Sequence, residues 1–137
     1  MNRLIEAIKY LIESRGRHGI HSPFIYSLLD EGIRKSIDFP DIEKLRKGLR
    51  RNHSKIENHF GTNAGVFKGR GTIAELTKNV CIHKKYGALL YKIALHFQPK
   101  CIIEMGTSLG ISAAYLAKTK IPLITCEGNP ALAKISQ

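Results

Sequence analysis

No stretch of this sequence is apolar for long enough to cross a membrane. Of 137 residues, 43% are hydrophobic, and they come in short runs, which excludes a transmembrane helix and leaves no reason to expect a membrane partner. The opening Met1-Asn2-Arg3-Leu4-Ile5-Glu6 brings an acid into its first turn and lacks a cleavage pattern. No secretory signal is expected on that ground, and the cytoplasm is the expected location. Cysteine is scarce: Cys81, Cys101 and Cys126 are widely spaced and odd in number, so reduced, packed thiols are expected rather than a disulfide framework. Cys81-Ile82-His83 offers only two ligands with no second pair at suitable spacing, which speaks against a zinc site. Acidic residues are few, 11 Asp+Glu against 22 Lys+Arg for a formal charge of +11, and no pair of carboxylates for acid/base work can be picked out. Such a balance suits nucleic-acid or anionic-substrate contact, but no arginine-rich tract dominates. A solvated basic surface is the expectation and a nucleic-acid partner the alternative.

What is present is best taken along the chain. Residues 3 to 14 carry Leu4, Ile5, Ile8, Leu11 and Ile12 at helical spacing, predicting an amphipathic helix whose stripe packs on the following domain or on a second copy in a homodimer. Arg15 to Phe24 then reads as a flexible basic loop. His18 and His21 are its candidate bases, and Ser22-Pro23 supplies an N-cap and first-turn proline for the next helix. From Asp38 another helix is predicted, with Ile42, Leu45 and Leu49 inward and the basic run Arg46 to Arg51 outward. His59 to Gly71 is glycine-rich and basic. It is expected to be a mobile lid or linker and is no P-loop, since no Gly-Lys-Ser/Thr follows. Thr72-Ile73-Ala74-Glu75 is a capping box. A longer helix over about Lys84 to Phe97 presents Tyr86, Leu89, Leu90, Ile93, Ala94 and Phe97 to a sheet, and Pro99 blocks its continuation.

The chain is organised around Cys101 to Pro130. A short apolar run, Cys101 to Met105, opens into Gly106-Thr107-Ser108-Leu109-Gly110, and helical spacing takes over through Ile111, Ala114, Tyr115 and Ala117. A second β-rich run, Ile121 to Cys126, ends on Glu127, 17 residues after Gly110. This predicts one βαβ unit that holds a nucleoside-bearing ligand at the carboxyl ends of two parallel strands, with glycine where the backbone must turn and an acid placed for ribose hydroxyls. A third glycine under a pyrophosphate is missing, which disfavours a nicotinamide-dependent oxidoreductase.

Glu104-Met105-Gly106-Thr107-Ser108-Leu109-Gly110-Ile111-Ser112, followed by Glu127, resembles the first two cofactor motifs of class I methyltransferases that use S-adenosyl-L-methionine. It is most similar to the O-methyltransferase-like branch, as is the upstream Tyr86-Gly87-Ala88-Leu89-Leu90. The resemblance implies that Glu104 and Gly106 contact the methionine part of S-adenosylmethionine, Ser112 its carboxylate, the Gly106, Thr107, Ser108 and Gly110 turn its sulfonium side, and Glu127 both ribose hydroxyls. It also implies methyl transfer to a small-molecule acceptor, with a catalytic residue that the sequence does not name.

The resulting expectation is an α/β chain: a helical N-terminal cap over residues 1–83, then the start of a Rossmann-like domain over 84–137. Asn129-Pro130 caps one more helix. Two strands alone would leave open edges and a thin core, so the sequence is read as the N-terminal portion of a longer methyltransferase.

Overall fold

The computed structural model describes residues 5–6, 8–9, 22–34, 36–57 and 70–137. Most of the expected helix at 3–14, the histidines His18 and His21, and the glycine-rich stretch 58–69 lie outside the described residues. The chain divides into two compact units, Met1–Lys35 and Ser36–Gln137, so residues 83 and 84 fall within the second unit.

In the first unit, α1 (Pro23–Ser27) starts as the Ser-Pro pair predicts. The Ser22 hydroxyl accepts from the Ile25 amide at 3.4 Å and Pro23 occupies the first turn. A π-helical turn, Leu28–Ile33, continues it.

The second unit is a mixed α/β structure. Helix α2 (Pro40–Leu49) begins on proline with Asp41 and Glu43 in its first turn and ends on Arg46 and Lys47, a charge order that suits the helix dipole. Strand β1 (Lys55–Glu57) pairs antiparallel with β2 (Arg70–Thr72), Ile56 opposite Gly71. Helix α3 (Ile73–Asn79) carries the full capping box: Thr72 Oγ1 accepts from the Glu75 amide at 3.2 Å and Glu75 Oε2 accepts from the Thr72 amide at 2.9 Å. Helix α4 (Lys84–Phe97) ends at Gln98, which takes a left-handed conformation before Pro99. Strand β3 (Ile102–Met105), helix α5 (Ile111–Ala117) and strand β4 (Leu123–Cys126) form the predicted unit, with β3 and β4 parallel and Glu104 beside Thr125. Helix α6 (Pro130–Ser136) is capped by Asn129, whose Oδ1 accepts from Ala131 and Leu132.

Two apolar clusters hold this unit together. Phe39, Ile42, Ile111 and Tyr115 make one, with Phe39 edge-on to the rings of Tyr91 and Tyr115 at 4.9 and 5.1 Å. Ile56, Ile73, Leu76, Leu109 and Leu132 make the other, joining α6 and the β1–β2 pair to the Gly106–Gly110 turn.

Four expectations need correction. The cap expected to be helical over residues 1–83 also contains a strand pair, because β1 and β2 bracket the glycine-rich stretch. In α2 it is Arg46 that is buried, at 4% exposure, while Leu45 faces solvent: Ile42, Arg46 and Leu49 share one helical face and Leu45 flanks it. Helix α4 packs along α5 rather than laying its whole stripe on the sheet. Its buried line runs through Gly87 and Ala94, and Tyr86 and Phe97 are exposed. Finally, all three cysteines are free, but only Cys81 is partly buried, while Cys101 and Cys126 are exposed. The cause is that one face of the β3–β4 pair, with Ile103, Met105, Ile124 and Cys126, is uncovered.

Candidate functional site

The β3–α5 turn is built from three left-handed residues, Gly106, Ser108 and Gly110, at φ of 97°, 51° and 74°. Glycine is required at the first and third for that reason. A Cβ on Gly106 would meet nothing within 4 Å, so the backbone there borders open space, whereas one on Gly110 would make ordinary contact with Ser136 at 3.5 Å. Gly106 therefore leaves room, and Gly110 turns the chain into α5 against the end of α6.

The turn is pinned to the end of β4. The Cys126 carbonyl accepts from the amides of Gly106 at 2.8 Å and Thr107 at 3.2 Å. Thr125 Oγ1 donates to Glu104 Oε2 at 2.6 Å and lies 2.5 Å from Thr107 Oγ1. A hydroxyl carries one hydrogen, so the Thr107 hydroxyl must be the donor to Thr125. The relay Thr107, Thr125, Glu104 thus fixes the Glu104 carboxylate at the carboxyl end of the parallel pair. Thr125 could not be singled out from sequence, since only the register reveals that it stands beside Glu104.

Five of the seven sequence-predicted residues, Glu104, Gly106, Thr107, Ser108 and Ser112, line one open cleft of about 450 Å³. Its far wall is apolar: Val80, Cys81 and Ile82 from the α3–α4 connection and Leu90 from α4. These too were invisible in the sequence, being brought in by helix packing. Burial pushes the Cys81 thiol up from its ordinary value, against the pull of Arg46 and Arg50, so it serves as an apolar wall residue rather than a thiolate. Ser108 Oγ is buried in the turn with no hydrogen-bond partner, an arrangement that a native fold rarely leaves unused.

Gly110 and Glu127 do not line that cleft. Glu127 Oε2 accepts from the Ser108 amide at 2.7 Å and Oε1 from the Asn129 amide at 2.9 Å, so its carboxylate clips the β3–α5 turn to the start of α6.

Among protein-family models, curated proteins and solved structures, none matches this chain.

The site's chemistry thus rests on its own geometry: a fixed carboxylate and the exposed backbone of Gly106 in a cleft with an apolar wall, and an unpartnered hydroxyl buried in the turn. Among the described residues no cluster of three metal-ligating side chains occurs, and no helix is long and apolar enough to cross a membrane.

Proposed function

We propose that the Ser36–Gln137 unit is the opening of a Rossmann-like, S-adenosylmethionine-binding domain, and that the chain serves a cytoplasmic methyltransferase with a small-molecule acceptor. The observation that carries this reading is the convergence of Glu104, Gly106, Thr107, Ser108 and Ser112 on one cleft at the carboxyl end of β3, the side of an open parallel sheet on which ligands are held. Its volume, about 450 Å³, falls in the usual range for small-molecule sites.

The residues fit the group. Glu104, oriented by Thr125, is placed for the α-ammonium of the methionine part, and the bare backbone at Gly106 admits a ligand where a side chain would intrude. Val80, Ile82 and Leu90 would offer an apolar wall to the carbon chain. The cofactor supplies a methyl on a sulfonium, and what this chain adds is positioning and desolvation. Glu127 fits the ribose role only by accepting further hydrogen bonds on oxygens that already hold two backbone amides. Each carboxylate oxygen has a second lone pair for that.

Isothermal titration of the 137-residue chain with S-adenosylmethionine, and separately with NADH, tests the reading. Saturable S-adenosylmethionine binding that Glu104→Gln weakens about tenfold or more supports it, the loss expected for a charge-assisted hydrogen bond. Preference for NADH, or binding indifferent to Glu104, would overturn it.

A further inference from the structure

We propose that a second cleft, between the end of α2 and the outer face of α3, binds a phosphate group of a nucleotide or of single-stranded RNA. This goes beyond the cofactor reading and does not depend on it, since the two clefts share no lining residue. The second cleft has about 440 Å³ and is lined by Arg50, His53, Thr72, Ala74, Glu75 and Lys78. Two cationic side chains, Arg50 at the end of α2 and Lys78 on α3, meet there with the His53 imidazole.

The charge is not balanced locally. Glu75 is the one carboxylate in the lining, and its Oε2 is engaged by the Thr72 amide at 2.9 Å and by Thr72 Oγ1 at 3.1 Å. Among the described residues no ion pair joins Arg50, His53 or Lys78 to an acid. Between Glu43 and Glu57 the chain contains no Asp or Glu, and of the basic residues in that interval Lys44, Lys47, Arg50, Arg51 and Lys55 are exposed. Arg46, which turns into the core, is the exception. The cleft therefore borders a basic surface that concentrates anions, with Glu75 its one lining acid.

The scaffold beneath is fixed. The Ala74 amide donates to the Asn52 carbonyl at 2.8 Å and the Ile73 amide to the Ser54 carbonyl at 3.1 Å, while Asn52 Oδ1 accepts from the Ser54 amide at 2.9 Å. These bonds hold the segment bearing His53 against the first turn of α3, with Arg50 and Lys78 on either side. A planar guanidinium fork and an ammonium lining one concave site match a tetrahedral phosphate better than a flat membrane surface. The thirteen-residue acid-free interval suits a backbone that continues past one phosphate.

The test is fluorescence anisotropy of a labelled oligouridine on the 137-residue chain, at low and moderate salt. Uridine monophosphate and polyglutamate serve as competitors. Arg50→Gln/Lys78→Gln is compared with Lys85→Gln/Lys100→Gln, which removes the same charge elsewhere, and melting curves confirm that both are folded. The cleft pair should weaken binding about tenfold or more and lower the salt slope by about 1.4, the value for two lost phosphate contacts on a single strand. The control pair should do much less. Competition by uridine monophosphate that the cleft pair abolishes identifies a free nucleotide as the phosphate source. RNA binding without such competition identifies the polymer backbone. Equal weakening by both pairs, equal competition by polyglutamate, or no binding would overturn the proposal. S-adenosylmethionine titration should be unchanged in the cleft pair, which keeps this outcome separate from that of the cofactor reading.

Discussion

Tyr115 has no exposed surface, and its hydroxyl donates to Glu43 Oε1 at 2.7 Å while Arg46 Nε reaches the same oxygen at 3.2 Å. Burial, then the bond to Glu43, pushes the phenol up to about 12 from an ordinary 10.0. A proton held more tightly in the folded chain than in the unfolded one stabilises fully below pH 10 and stops doing so as pH rises through about 12. Tyr115→Phe should cost about 1–2 kcal/mol near neutrality, and its deficit in melting temperature should shrink between pH 10 and 12. A deficit constant with pH would mean that the hydroxyl does not titrate as described. On the acid side burial would raise the Glu43 carboxyl, but the Tyr115 hydroxyl and Arg46 together hold it below its ordinary 4.5. Its contribution is therefore present above that pH and lost on acidification.

Glu127 works at the same scale. Because its two oxygens hold the Ser108 and Asn129 amides, Glu127→Ala should lower stability by about 1–3 kcal/mol in urea unfolding, even with no ligand present. An unchanged midpoint would mean that water replaces both bonds without loss. Gly106→Val acts differently: space is open there, so the penalty is the left-handed backbone itself, about 1–2 kcal/mol. The valine side chain would also fill the mouth of the cleft.

Among the elements, the contact of α4 with α5 turns on a single missing side chain. A Cβ at Gly87 would overlap the ring of Tyr115, so Gly87→Ala should destabilise by about 1–3 kcal/mol through overpacking, although alanine is the better helix former. Urea unfolding of Gly87→Ala, alone and combined with Tyr115→Leu, checks this: the alanine should cost much less once the ring is gone. Here the limit of the sequence as a guide is visible. The extent of α4, the capping box at Thr72, the cap at Asn129 and the order of β3, α5 and β4 were all legible, because each depends on residues a few positions apart. The partner of Gly87, the burial of Arg46, the β1–β2 pairing and the apolar wall of Val80, Ile82 and Leu90 were not, because each is set by segments distant in sequence. The candidate site divides the same way: Glu104 and Gly106 stood out in the sequence, while Thr125 and the clipping role of Glu127 emerge only from register and turn geometry.

For the molecule as a whole, the uneven covering of the β3–β4 pair decides which substitutions matter. Met105 is 90% exposed and Ile103 71%, so Met105→Gln should change the unfolding free energy by no more than about 0.5 kcal/mol, whereas the same change at buried Ile111 would be severe. A large loss at Met105 would show that this face is covered in solution.

The bond between Tyr115 and Glu43 spans 72 positions of chain. On a ribosome adding roughly 5–20 residues per second, Glu43 and Arg46 are made about 4–14 s before the tyrosine that completes their network. Throughout that interval α2 has neither Tyr115 nor Ile111 to close over Ile42 and Phe39. Birth order therefore makes the front half of this unit a client of whatever shields nascent chains, and a stall ahead of codon 115 would strand it in that state.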